Sequence, residues 1–240
     1  MIKKNIPNFL TLTNLAAGFS AIVLIYLGDL NWVFLCLAVS LVADLLDGYT
    51  ARLFKVSGPL GVQLDSLADL VSFGVMPALF VFAVMDEKFL NDTEMLLLAT
   101  SCIFYVLCAC WRLAKFNITE SKKNDFTGLP SPASGLLMLS FGLLYLEAIS
   151  WLPDPAITGI LLTTILGILM ISTIQFLSLK FSPGGFKANF YRYLTILSFP
   201  IPLLIMGYQG AFVSMLVYLL LSILSNFFPS KTKNHAHPTA

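Results

Sequence analysis

The chain has 240 residues, 58% of them hydrophobic and 11% charged, and a formal net charge of +1 at pH 7. Soluble domains carry about a quarter charged residues, so an ordinary soluble domain is excluded. The near-neutral balance also gives no electrostatic case for binding nucleic acid. Apolar runs long enough to cross a bilayer recur along the whole length and predict an all-α, polytopic integral membrane bundle.

Eight spans are expected, over 9–27, 32–54, 61–85, 95–116, 132–151, 156–181, 191–206 and 211–228. The first run is longer than the apolar core of a signal peptide and no small-residue cleavage site follows it, so it is expected to stay as a span. The seventh is short, and Pro200 and Pro202 interrupt its hydrogen-bond ladder, which makes a broken or re-entrant segment the alternative there. A single membrane domain over 1–228 is expected, with core spans over 9–181 and an additional C-terminal pair over 191–228. A polar, disordered cytoplasmic tail is expected over 229–240, where nothing pairs with His235 and His237 to make them ligands. Cys36, Cys102, Cys108 and Cys110 all lie in apolar runs and read as buried small hydrophobes.

Thirteen of the 14 Lys and Arg residues fall on one side of this arrangement, among them Lys3, Lys4, Arg52, Lys55, Arg112 and Lys115. The other side receives Lys88, in the company of Asp86, Glu87, Asp92 and Glu94. Basic loops stay in the cytoplasm, so both termini are expected there and the protein is expected in the cell membrane.

Four carboxylates break the apolar pattern. Asp44 and Asp47 are three residues apart, and Asp65 and Asp69 four apart, so each pair shares a helix face. Gly48 and Ala51 extend the first face, Gly61 and Ala68 the second, and Arg52 stands one turn from the acids. Aspartates inside a span cost about 2.5–3.5 kcal/mol each on insertion scales, so they need compensation. Two such helices packed as a hairpin would aim four carboxylates at one point, and hard divalent cations are the natural partner of an all-oxygen set. A proton or cation path in a transporter, or aspartates solvated at helix ends, would also place acids here. Neither accounts for the interleaved small residues or for the arginine. A transporter of this kind often shows interrupted spans in two repeated halves, and no such repeat stands out. A dinuclear site beside a cation suits holding a diphosphate during its displacement.

The stretch Asp44–Asp69 resembles the signature of the CDP-alcohol phosphatidyltransferases, Asp-x2-Asp-Gly-x2-Ala-Arg-x8-Gly-x3-Asp-x3-Asp, and matches it at all eight fixed positions over 26 residues. The resemblance implies a membrane enzyme that replaces CMP on a CDP-linked lipid or headgroup with an alcohol, using two divalent cations, Mg2+ or Mn2+. It implies that Asp44, Asp47, Asp65 and Asp69 ligate the metals and that Asp69 takes the proton of the attacking hydroxyl. Gly48, Ala51, Arg52 and Gly61 would lie against the CDP moiety. Pro7-Asn8-x2-Thr11, which alone could be a helix cap, resembles the family's entry segment, where Asn8 and Thr11 would bind the nucleotide. A homodimer is implied as well.

The string Arg112-Leu-Ala-Lys115-Phe-Asn117, followed by Gly128-Leu-Pro130-Ser131-Pro132-Ala133, resembles the serine branch of the family, with Lys115 where Arg is usual. Read without the resemblance, it is a basic anchor before a Gly/Pro turn. The branch implies CDP-diacylglycerol and L-serine as substrates, with Arg112, Lys115 and Asn117 at the serine and membrane lipid around the protein. Phosphatidylglycerophosphate synthesis and an ether-lipid version of the serine reaction are the alternatives inside the family. The resemblance reaches from the first span to the start of the fifth, and the last three spans match by hydropathy.

Overall fold

The computed structural model describes residues 2–56, 58–86, 90–118, 126–147, 154–177, 189–207 and 209–227. Helices α1 (Ile2–Tyr26) and α2 (Val33–Phe54) form an antiparallel hairpin joined through a 3-10 turn at Leu30–Trp32. Helix α3 (Pro59–Asp69) continues through a π-helical segment, Leu70–Val75, into α4 (Met76–Asp86). Then come α5 (Asp92–Ile118), α6 (Ser131–Glu147), α7 (Pro155–Ile171), α8 (Phe190–Ser198), α9 (Pro200–Met206) and α10 (Gln209–Phe227).

Among the described residues, five helical stretches are long and apolar enough to cross a membrane: Asn5–Tyr26, Leu30–Phe54, Pro59–Met85, Asp92–Ile118 and Gln209–Phe227. Three shorter apolar helices, Ser131–Leu146, Ala156–Ile171 and Phe190–Met206, stand where the fifth, sixth and seventh spans were expected. The α3–α4 stretch is the axis of the bundle, with 61% of its apolar window buried against 22% and 28% for the first two. The outer helices turn large apolar side chains such as Phe9, Phe19, Leu45 and Trp111 outward, as a lipid-facing surface requires.

Buried positions on α1 are Pro7, Thr11, Asn14, Gly18 and Ala21, a four-three-four-three spacing that makes one seam. On α2 the matching seam is Val33, Leu37, Ser40 and Asp47. The seam begins in hydrocarbon and ends in carboxylates.

Pro77 accounts for the π-helical segment. A proline ring collides with the carbonyl four residues back, here that of Phe73, and the widened turn before it relieves the clash. Gly135 of α6 lies so close that an added Cβ would sit 3.1 Å from both Cα and O of Phe73.

Two expectations are corrected. The sixth span does not run to 181. Its helix ends at Ile171, and Gln175–Phe176 instead pairs antiparallel with Phe126–Thr127. Hydropathy cannot see this stop, because the leaving backbone is satisfied from outside: Gly128 N–H donates to Ile174 O at 2.8 Å and Asn226 Nδ2 to Gln175 O at 2.7 Å. Among the described residues this two-residue β pair is a local feature of a helical fold, which is all-α as expected. Among the cysteines, Cys110 is exposed on the outer face of α5 rather than buried, while Cys102 and Cys108 are buried and all four are free thiols.

The interruption expected at Pro200 is present, dividing that stretch into α8 and α9. The next turn doubles back through Gly207 at φ +61°, and a Cβ on Gly210 would strike the Pro202 carbonyl. The tail over 229–240, Lys88, Lys122, Lys123 and the expected span ends at 151, 181 and 228 lie outside the described residues.

Candidate active site

The start of α1, the end of α2, the start of α3, the end of α5 and the start of α6 meet at one end of the bundle. The contacts that show it are polar. Thr11 Oγ1 donates to Asp47 Oδ2 at 2.6 Å, and Asn14 Nδ2 donates to Asp69 Oδ1 at 3.1 Å. Asn117 Nδ2 donates to Ser66 Oγ at 2.9 Å, and Arg112 Nη1 to Ser131 Oγ at 2.7 Å. Arg52 and Lys115 are exposed at the same end, whereas Asp29 and Asp154 lie at the other, with Asp154 capping α7 through Ala156 N–H at 2.8 Å.

One carboxylate oxygen from each of Asp44, Asp47 and Asp65 lies within 4.8 Å of the others. Asp47 is 5% exposed, and Asp65 Oδ1 is buried with no hydrogen-bond partner. Three carboxylates whose oxygens converge in an apolar bundle, one of them also carrying a bare buried oxygen, fit a hard divalent cation. Asp69, 8% exposed, stands outside that triplet, held by Asn14. The convergence expected from the spacing is present for three of the four acids, but α2 and α3 do not pack on one another as a hairpin: both pack against α1, which brings their acids together.

The other expected residues fall around this point. A Cβ built on Gly61 would lie 3.3 Å from Asn8 Oδ1, so the entry segment of α1 and the first turn of α3 are neighbours. A Cβ on Gly48 would meet only Arg52 Nη1, at 3.7 Å. Packing does not demand glycine there, and the open space beside the acids leaves room for a ligand. Ala51 is half-buried one turn from Asp47. Arg112 is close enough to Asp69 for their charges to interact, and its Nε is buried without a partner. The Asn117 side chain is occupied by Ser66, the residue after Asp65. Lys115 lies one turn beyond Arg112 on α5.

Reading the sequence did not single out Asn14, Ser66, Ser131 or Tyr105, which hold the acids, Asn117, Arg112 and the π-helical segment in place. Asn14 was within reach, since it continues the Pro7–Thr11 spacing on the buried face of α1. The other three reveal themselves only through partners on distant helices.

Residues 4–180 match the family described as CDP-alcohol phosphatidyltransferase. A CDP-diacylglycerol–serine O-phosphatidyltransferase of Methanocaldococcus jannaschii is 34% identical over 171 residues, covering 71% of this chain and 73% of its own. The protein of that name from Helicobacter pylori strain J99 is 30% identical over 231 residues, 92% of this chain and 91% of its own. That alignment carries the similarity across the last three helices, beyond the reach of the motifs. An archaetidylserine synthase of Methanothermobacter thermautotrophicus is 34% identical over 140 residues, 57% of each chain. With three of the four signature aspartates brought to one acidic focus, these matches establish that the chain belongs to the CDP-alcohol phosphatidyltransferase family.

Proposed function

We propose that this chain transfers the phosphatidyl group of CDP-diacylglycerol to the hydroxyl of L-serine, giving phosphatidylserine and CMP. The observation that carries the reading is the convergence of Asp44, Asp47 and Asp65 beside Asp69, in a chain that aligns over most of its length with relatives named for that reaction. The serine oxygen forms a bond to the phosphorus that bears diacylglycerol. The bond from that phosphorus to the bridging oxygen of CMP breaks, and CMP leaves with the electron pair.

Asp44, Asp47, Asp65 and Asp69 are the residues that would hold two divalent cations, Mg2+ or Mn2+. When bound, these neutralise the diphosphate and lower the cost of CMP departure. Asp69 receives the proton of the serine hydroxyl, which is a poor nucleophile without a base within hydrogen-bond reach. Asn8 binds the nucleotide, Thr11 supports the site from behind by holding Asp47, Arg52 contacts phosphate at the rim, and Gly48, Ala51 and Gly61 let the nucleotide approach the helices. Arg112 pairs with the serine carboxylate, for which its bare Nε is a suitable donor, and Lys115 and Asn117 border that pocket.

Supported by the charge asymmetry of the sequence, the site faces the cytoplasm from a multi-pass protein of the cell membrane, with both termini on that side. A homodimer completes the reading and rests on the family resemblance. The similarity to an archaetidylserine synthase favours one second reading, in which serine is still the acceptor and the donor lipid carries ether-linked chains.

Purified protein incubated with CDP-diacylglycerol, Mn2+ and a panel of alcohols tests this. CMP and phosphatidylserine should appear with L-serine. Turnover with glycerol 3-phosphate or inositol but not serine would overturn the assignment. Asp69→Asn should fold and release no CMP.

A further inference from the structure

We infer that Asn14 is the positioning residue for Asp69, setting which of its two oxygens meets the acceptor hydroxyl. The inference rests on the proposed role of Asp69 as base. Asn14 is fully buried in the α1 seam, and its Nδ2 donates to Asp69 Oδ1 at 3.1 Å. That bond occupies Oδ1 and leaves Oδ2 as the oxygen without an amide donor.

Asn14 is itself anchored by its backbone. Its carbonyl oxygen accepts the Ser40 hydroxyl of α2 at 3.2 Å and the Ser72 hydroxyl of the π-helical segment at 3.0 Å. One residue of α1 is therefore keyed to α2, which carries Asp44 and Asp47, and to the segment that continues α3 just past Asp69, and its amide reaches the base from a fixed point. The amide's own Oδ1 is buried with no partner. A bare buried acceptor is a cost that a leucine of similar volume would not incur, so a structural role alone gives little reason for asparagine here. The N–H aimed at Asp69 does.

Interhelical amides in membranes can serve as glue alone, and kinetics separate the two roles. Wild type, Asn14→Leu, Asn14→Ser and Ser40→Ala are compared for kcat, for KM of each substrate and for thermal midpoint in detergent. Ser40→Ala removes one of the two hydroxyls on the Asn14 carbonyl and leaves the Ser72 bond and the Asn14–Asp69 bond in place, so the amide keeps its aim. Asn14→Leu and Asn14→Ser should lose about 10–100-fold in kcat, the usual effect of removing a group that orients a ligating side chain. Both KM values should stay within about twofold, because the lost interaction acts in the transition state. Ser40→Ala should lower the midpoint and keep kcat within about twofold.

Retention of kcat in the Asn14 variants, or a loss that appears only with a raised KM for CDP-diacylglycerol or a fallen midpoint, would overturn the inference. Should Asn14→Leu fail to fold, the smaller, polar Asn14→Ser decides. If wild type transfers to another alcohol, the serine assignment falls by itself, and the same comparison is made on the alcohol it accepts.

Discussion

The hydroxyl of Tyr105 donates to the carbonyl of Phe73 at 3.0 Å, the acceptor that Pro77 leaves without its helical N–H. The same hydroxyl lies 3.1 Å from Ser134 Oγ, so α5, α6 and the π-helical segment meet at one fully buried phenol. Tyr105→Phe keeps the ring and strands the carbonyl. A buried group left unsatisfied costs about 1–3 kcal/mol, so the thermal midpoint in detergent should fall by several degrees. CMP release at permissive temperature should persist, because the phenol touches none of the four acids.

Thr11→Val conserves shape and removes the donor 2.6 Å from Asp47 Oδ2. Hydrogen bonds to charged groups are worth about 1.5–3 kcal/mol, and here the bond fixes the rotamer of an acid in the oxygen triplet. The Mn2+ concentration for half-maximal activity should rise about 10–100-fold, as it does when partners of ligating side chains are lost. Activity titrated against Mn2+ at saturating CDP-diacylglycerol measures this.

How much of this was legible in the sequence depends on the range of each interaction. Asp44 and Asp47, or Asp65 and Asp69, share a face because of the helical period, and that is local information. The α1 seam of Pro7, Thr11, Asn14 and Gly18 is equally local. The stop after Ile171 was invisible, because it depends on Phe126–Thr127 and on Asn226, which are distant in sequence from the Gln175–Phe176 backbone they hold. Ser66 with Asn117 and Ser131 with Arg112 are of the same kind, since a serine carries no period of its own and gains meaning only from the helix opposite. Pro77 is the intermediate case: its missing N–H is plain in the sequence, but the π-helical turn and Tyr105 that answer it are not.

Arg112 separates acceptor binding from lipid binding. Its Nη1 is held by Ser131 while Nε is buried without a partner, so the guanidinium is fixed by one edge and has a donor to spare. Arg112→Lys keeps the charge and loses the planar fork that fits a carboxylate. The KM for serine should rise about tenfold or more, in keeping with the loss of a charge-assisted bidentate contact. The KM for CDP-diacylglycerol should not move. Equal increases in both constants would place Arg112 at the donor lipid instead.

Asp65 tests the acidic focus in a way that activity alone cannot. Its Oδ1 is buried and bare, and one of its oxygens lies within 4.8 Å of oxygens from Asp44 and Asp47. Without a cation, three carboxylates held this close repel one another, so the fold carries a strain that serves the site and not stability. Asp65→Asn is isosteric and removes one of the three charges. The metal-free variant should therefore unfold at a higher temperature than metal-free wild type, while its CMP release is lost. Adding Mn2+ should raise the wild-type midpoint, since a ligand at 100 times its Kd stabilises by about 2.7 kcal/mol. The variant should respond weakly. A chelator should return wild type to its lower midpoint and leave Asp65→Asn where it was. A variant less stable than wild type in chelator, with an undiminished response to Mn2+, would mean that Asp65 faces a protein partner and that the triplet is no cation site.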